Sequence, residues 1–308
     1  MSTLFYAHPS SLDHDTGPGH PERIERIRAV TEALSAPDFD DLIHREAPRG
    51  SIWDIKRVHN DDYVRSVFDA VPTDGYERLD ADTVVSPGSG EAALYAVGGV
   101  CAAVDAVIAG EAKNAFCALR PPGHHAERDR AMGFCLFNNV AIAAFHALEI
   151  NGIERVAVMD FDVHHGNGTQ QAFWGHENLF YASTHQSPCY PGTGSERERG
   201  KFGNIANAPL PPGSGGEDFR DAFGFLRPAL KDFAPDLLLV SAGFDAHGVD
   251  PLAGLNLTEA DFAWVTDELL AIAEHSAKGR LVSALEGGYD LNALARSAAA
   301  HVRALMAA

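Results

Sequence analysis

The chain has 308 residues, 45% hydrophobic and 22% charged, an ordinary globular balance able to bury one large α/β domain or two smaller ones. Its 43 acids against 24 bases give a formal net charge of −19, which argues against docking on nucleic-acid phosphates and suits either solubility or the steering of a cationic substrate. No uninterrupted apolar run predicts a membrane span, the N-terminus lacks a secretory pattern, and Cys101, Cys117, Cys135 and Cys189 form no C-x-x-C pair, so a reducing cytoplasm is the expected setting.

No fixed-period repeat or low-complexity linker divides the sequence, so residues 1–308 are expected to form one domain. Leu4 to His8 reads as a first strand and Asp13 to Pro21 as a turn-rich loop. His20-Pro-Glu-Arg23 then opens a helix with Ile24, Ile27, Val30 and Leu34 at helical spacing. Ser51 to Phe68 is amphipathic and helical in parts, and Asp80 to Gly90 is a polar loop holding Asp82. Glu91 to Ala109 reads as a long buried helix, Ala115 to Leu119 as a buried strand, and Gly133 to Glu149 as a second buried helix. A strand begins at Val156, a helix at about Thr169, and a further strand spans Leu179 to Ser183. Ser187 to Gly200 is irregular, and Glu217 to Phe233 is helical. Asp236 to Gly243 and Arg280 to Leu285 are strands, and helices cover Thr258 to Ser276 and Asn292 to Ala307.

Short apolar strands alternating with helices specify an α/β fold with a central, mostly parallel sheet covered by helices on both faces. In such sheets, ligands bind beyond the carboxyl ends of the strands. Four strands here run straight into polar or glycine-rich segments: His124-His125, Asp160 to Asn167, Asp245, and Gly287-Gly288-Tyr289. In an extended chain Asp160, Asp162 and His164 share one face, and Phe161 and Val163 the other. One acid at a strand end is commonly a helix cap, but two acids with a His-His pair exceed that role.

Asp162, His164 and Asp245 make a two-carboxylate, one-imidazole set suited to a catalytic divalent metal with open positions, zinc or iron(II). Such a metal acidifies water and polarises a substrate oxygen. The adjacent His124-His125 pair is the source of a base, and Tyr289 on its Gly-Gly turn is a candidate oxyanion donor.

Those stretches resemble the histone deacetylase superfamily, and within it the class II-like bacterial deacetylases and histone deacetylase-like amidohydrolases. The matching segments are Gly17-Pro-Gly-His-Pro-Glu-Arg23, Arg120-Pro-Pro-Gly-His-His-Ala126, Gly133-Phe-Cys-Leu-Phe-Asn-Asn139, Asp160-Phe-Asp-Val-His-His-Gly-Asn-Gly168, Tyr190-Pro-Gly-Thr-Gly194, Ser241-Ala-Gly-Phe-Asp245 and Glu286-Gly-Gly-Tyr289, in family order across nearly the whole chain. The resemblance implies an arginase/deacetylase-like fold and a zinc-dependent deacetylase that cleaves an acetyl-lysine-type acetamide. It implies zinc on Asp162, His164 and Asp245, with His125 as general base and His124 as its electrostatic or acid partner. Asp160 would accept from His124, Asn167 would orient His125, and Tyr289 would stabilise the oxyanion. It further implies a structural potassium ion near Asp160, Asp162, His164, Ser183 and Thr184, an acyl channel lined by Phe134 and Tyr190, and a rim acid at Asp82. Leu252 stands where acetylpolyamine-preferring relatives carry an acidic gatekeeper, which favours a lysine-like substrate. Arg26 matches an internal-channel arginine, the alternative being a helix-surface side chain, and His165 reads as structural.

The implied partners are an acylated lysine peptide or protein, or an acetylated amine, with no direct nucleic-acid or membrane partner. An acetylpolyamine amidohydrolase is the nearest alternative. A two-manganese ureohydrolase is a second, because Asp245-Ala-His247 resembles its motif, although Asp250 falls one position too far along. A non-catalytic binding module is a third, but both the histidine pair and the tyrosine are retained.

Overall fold

The computed structural model describes residues 2–308. In chain order its first elements are β1 (Thr3–Ala7), α1 (Ile24–Ala33), β2 (Ile43–Glu46), α2 (Ile52–Ile55) and α3 (Asp61–Asp69). A small hairpin, β3 (Glu77–Arg78) with β4 (Val84–Val85), precedes α4 (Ser89–Ile108), β5 (Asn114–Cys117) and α5 (Asn139–Leu148). Next come β6 (Val156–Asp160), α6 (Asn167–Phe173), β7 (Leu179–Gln186), β8 (Ile205–Leu210) and α7 (Gly216–Phe233). The chain closes with β9 (Leu237–Ala242), α8 (Glu259–Ser276), β10 (Leu281–Leu285) and α9 (Leu291–Ala307).

Eight strands form one sheet in the order β2-β1-β5-β10-β9-β6-β7-β8, and every pairing in it is parallel. Parallel pairing needs crossover connections, and the helices of those crossovers cover the sheet. One face packs Val156 and Val158 of β6 against α4 and α5. The other packs Ala157 and Met159 against α1, α7, α8 and α9. The alternation continues past the strand end, where Phe161 and Val163 enter the second core as their spacing requires.

Several boundaries differ from the sequence expectation, for identifiable reasons. The helix expected from Gly133 begins only at Asn139, because Asn138 Oδ1 accepts the Ala141 amide and caps it there. Gly133 to Phe137 is instead a loop, with Phe134 at a φ of 68°. The pattern gave no sign of β2 and β8, which are the two edge strands. All four residues of β2 are exposed, so nothing imposes an apolar pattern on Ile43-His-Arg-Glu46. β8 contains Pro209, whose missing N–H is tolerated at an edge. α4 is long and apolar enough to cross a membrane, yet 72% of its apolar window is buried inside the fold.

One buried ion cluster ties the first turn of α1 to the site edge. Glu22 is fully buried; its Oε1 accepts from Arg26 at 2.8 Å, and both carboxylate oxygens accept from Arg120 at 2.5 and 2.6 Å. Burial alone would raise this carboxyl, but Arg120, His14 and Arg26 hold it well below the usual carboxylate range. Arg26 is itself fully buried, so the helix-surface alternative for it is corrected. It donates to the carbonyls of Gly288 (2.6 Å) and Glu286 (2.5 Å), while Arg120 donates to Ser11 O at 2.7 Å. Removing one member of a buried ion cluster strands the others, so Glu22→Ala is expected to lower unfolding stability by about 3–5 kcal/mol in urea denaturation. A loss under 1 kcal/mol would contradict the assigned role.

Candidate active site

Parallel strands that all point one way deliver their exit loops to a common edge, and four of those loops build the site. The β5 exit carries His124 and His125, the β6 exit Asp160 to Asn167, the β9 exit Asp245, and the β10 exit Tyr289. β6 lies between β7 and β9, with Asp160 in register with Ser183 on one side and Ser241 on the other.

Asp162, His164 and Asp245 are buried together, and one ligand-capable atom from each lies within 4.8 Å of the others. His164 Nδ1 faces Asp162 Oδ1 at 3.1 Å and Asp245 Oδ2 at 3.2 Å. Their remaining carboxylate oxygens are taken by backbone amides: Asp162 Oδ2 accepts from Gly287 at 2.8 Å and Asp245 Oδ1 from Val163 at 2.9 Å. Each carboxylate thus turns one oxygen inward. Two buried carboxylates facing one imidazole nitrogen call for positive charge, which the proton on His164 supplies in the absence of metal, and these oxygen and imidazole donors could hold zinc or iron(II). Gly287 is required here, since a Cβ would run into both carboxylates.

The histidine pair is split by its surroundings. His124 Nδ1 donates to Asp160 Oδ2 at 3.0 Å, and the Tyr181 hydroxyl donates to the same oxygen at 3.1 Å. Burial would depress His124, but Asp160, Asp162 and Glu286 outweigh it and push its pKa up to about 10. His125 moves the other way, held well below the usual histidine range by burial and then by the charges on His124 and His164. Its ring lies 4.0 Å from that of His124. Asn167 Nδ2 donates to Glu127 Oε1 at 2.7 Å and to the His125 carbonyl at 3.3 Å, which fixes the amide. Asn167 Oδ1 therefore faces His125 Nδ1 at 2.8 Å as an acceptor, so that nitrogen carries the hydrogen. The Nε2 lone pair of His125 is left free to take a proton.

His125, His164 and Tyr289 line a cavity of about 200 Å³ together with Asp82, Gly133, Phe134, Tyr190 and Leu252. Every cavity residue expected from the sequence is there. Tyr190 meets His125 edge-on at 5.1 Å and Phe134 meets Tyr289 edge-on at 5.7 Å. Gly133 is needed opposite, because a Cβ would strike the His125 ring. Asp82 Oδ1 accepts from Gly133 N at 3.1 Å and from Thr83 Oγ1 at 2.9 Å. The Arg26 guanidinium lies 4.9 Å from the Tyr289 ring centre.

Ser183 and Thr184 are buried beside Asp160, with Ser183 Oγ against His185 Nδ1 at 2.9 Å and Thr184 Oγ1 without a partner. His165 does not turn into the cavity; its Nδ1 meets Thr193 Oγ1 at 2.8 Å and its Nε2 meets Gln170 Oε1 at 3.0 Å, pinning the Tyr190 loop. His247, part of the ureohydrolase-like motif, instead lies 3.5 Å from Glu259.

Four supporting acids escaped the sequence reading. Glu22 resembles an ordinary first-turn acid, Glu127 carries no motif, and Asp250 was weighed only against a ureohydrolase pattern. Glu286 stood inside a quoted motif with no role; its Oε2 accepts the amides of Gly123 (2.7 Å) and His124 (3.1 Å).

Comparison with known proteins finds relatives over most of the chain. The description "Histone deacetylase domain" matches residues 20–305. A histone deacetylase-like amidohydrolase of Pseudomonas aeruginosa is 42% identical over 278 residues, spanning 88% of this chain and 73% of its own. A probable deacetylase of Archaeoglobus fulgidus is 37% identical over 298 residues, spanning 94% of this chain and 82% of its own. The crystal structure of the HDA15 HD domain superposes with a TM-score of 0.94 at 33% identity, covering 99% of this chain and 88% of that one. The chain belongs to the histone deacetylase family and is a deacetylase-type amidohydrolase.

Proposed function

We propose that this protein is a zinc-dependent deacetylase acting on acetyl-lysine-type side chains. The observation that carries this reading is the cluster of Asp162, His164 and Asp245, the one such group among the described residues, beside a histidine pair of opposite charge preference. A zinc ion held by those three residues supplies a Lewis acid that polarises the acyl oxygen and acidifies water, and iron(II) suits the same donors.

The chain's own residues then divide the work. Phe134 and Tyr190 pack the methylene stem of the substrate in the cavity, and Leu252 at its mouth offers no charge to a second cation. That last feature favours lysine over an acetylated polyamine. Asp82, at the rim, is placed to accept from a substrate backbone amide. His125 Nε2 takes the proton of the attacking water as its oxygen bonds to the acyl carbon. The Tyr289 hydroxyl donates to the oxyanion that develops, and protonated His124 balances the added negative charge. The proton on His125 then passes to the amine nitrogen as the C–N bond breaks, releasing the amine and acetic acid, whose remaining proton passes on to leave acetate and the ammonium. Asp160 holds His124 charged and Asn167 holds the His125 tautomer.

A structural potassium ion near Asp160, Asp162, His164, Ser183 and Thr184 is part of the same proposal, supported by the unpartnered hydroxyls of Thr184 and Ser241. The four cysteines are free thiols, which supports a cytoplasmic setting.

The deciding experiment assays zinc-loaded protein against acylated lysine peptides and acetylated polyamines, with metal content measured. Turnover of acetyl-lysine peptides with one zinc per chain and inhibition by hydroxamates is expected. Two tightly held manganese ions would establish the ureohydrolase alternative, preference for polyamines the amidohydrolase one, and no turnover the binding-module one.

Two variant sets test the assigned roles. Tyr289→Phe is expected to lower kcat by roughly 10²–10³ with zinc retained, as for loss of one oxyanion donor, whereas Asp245→Ala is expected to lose the metal. Near-normal kcat in Tyr289→Phe would remove it from the chemistry. The pH profile tests His124, which must stay protonated: the rate should hold through neutral pH and fall as His124 deprotonates near pH 10. Asp160→Asn removes an anion that favours the charged ring, so the alkaline limb should move to lower pH. An unmoved or upward-shifted limb would contradict the pairing.

A further inference from the structure

Tyr289 must present its hydroxyl at one point, yet the chain that carries it is poorly restrained by regular structure. β10 ends at Leu285 and α9 begins at Leu291. Between them, Gly287 and Gly288 have no side chains to pack, and Gly288 adopts a φ of 123° open only to glycine. The Glu286 amide still donates to the Ala242 carbonyl at 2.9 Å, but among the described residues the amides of Tyr289 and Asp290 find no backbone acceptor.

Asp250, on the turn after β9, fills that gap from 39 residues away. Its carboxylate is 8% exposed overall and lies outside the metal cluster. Oδ2 accepts from the Tyr289 amide at 2.7 Å and from the Asp290 amide at 3.3 Å. Oδ1 accepts from the amide of Leu252 at 3.0 Å. Asp250 N itself donates to His247 O at 2.9 Å, which anchors the turn to the β9 exit. The carbonyl of the same peptide group, that of Gly288, is held by Arg26. The tyrosine backbone is thus gripped at its preceding carbonyl and at its own amide, and the second grip is shared with a residue of the cavity mouth.

We propose that Asp250 is a positioning residue: through the Tyr289 amide it sets where the Tyr289 hydroxyl stands, and through the Leu252 amide it ties that placement to the mouth of the cavity. The proposal rests on the deacetylase reading above. Asp250 touches no reacting atom. A carboxylate is the group that fits, because it alone offers acceptors on both arms. An asparagine keeps the size but turns an NH2 group toward one set of amides, so one arm must fail.

A double-mutant cycle separates this role from general support of the fold. Wild type, Asp250→Asn, Tyr289→Phe and the double variant are compared as zinc-loaded full chains on one acetyl-lysine peptide, with metal content and melting temperature measured for each. Asp250→Asn is expected to lower kcat by about 10–100-fold, the scale of a misplaced catalytic group, with metal content and KM little changed. In the Tyr289→Phe background the same change should cost about twofold or less, since there is no hydroxyl left to misplace. An equal loss in both backgrounds, or no loss in either, overturns the proposal. Should Asp250→Asn fail to fold, Asp250→Ser, which keeps one acceptor, enters the same cycle under the same criteria. A wild type inactive on every acylated amine sinks the functional reading, whereas an active wild type with an additive cycle sinks this proposal alone.

Discussion

Where a strand leaves a parallel sheet its amides lose their ladder partners, and at this edge buried carboxylates take the place of the missing carbonyls. A buried N–H without an acceptor and a buried carboxylate without a donor are each costly, and pairing them removes both costs. Asp162 binds the Gly287 amide, Asp245 that of Val163, Glu286 those of Gly123 and His124, and Asp250 those of Leu252 and Tyr289. Each bond joins two different exit loops or the two ends of one turn. The loops are therefore braced against one another as well as against the sheet, where Glu286 N still donates to Ala242 O and Gln186 N to Val163 O. Glu22 extends the bracing below them: through Arg120 it reaches the loop of the histidine pair, and through Arg26 the loop of Tyr289. The cost persists in several of these acids: burial raises the carboxyls of Asp160, Asp245, Glu286 and Asp250, the last two to about 7.

The same low-dielectric edge makes chemically equal neighbours unequal. His124 and His125 are adjacent in sequence and share the same exclusion from water, so burial depresses both. Only His124 has a carboxylate on its ring, and once it is charged it suppresses protonation of His125. An amide oxygen on His125 rather than a carboxylate completes the division, because Asn167 fixes the tautomer without adding a charge. The carboxylates of Asp160, Asp162 and Glu286 around His124 thereby favour the cation on that ring and the neutral form on His125.

The convergence of the four loops was legible in the sequence because it follows from strand polarity alone. Central strands such as Val156–Asp160 are buried on both faces and so are apolar up to the last residue, which made them visible. The two edge strands were not visible, because β2 is exposed and β8 tolerates asparagine and proline. The segment Gly133 to Phe137 misled in the opposite sense: its apolar residues line a cavity and a core rather than one helix face. Metal-type ligands were legible by residue type and period. The bracing acids were not, since a carboxylate that binds amides across 39 or 163 residues leaves no local period to read.

That asymmetry follows from what each kind of residue must satisfy. A ligand to a metal or a base must be of one chemical type at the end of a particular strand, so its identity and its local position carry the signal together. A brace must only present two oxygens to whatever amides the topology brings near, and its local sequence is free. Glu286, directly after β10, and Asp250, on the turn beyond β9, meet the same demand from different contexts. The precision of the site nonetheless depends on both classes. In the proposed mechanism, displacing Tyr289 by the width of one atom would leave Asp162, His164 and Asp245 in place and still remove the hydrogen bond to the oxyanion, because donors act only within about 2.7–3.1 Å of it.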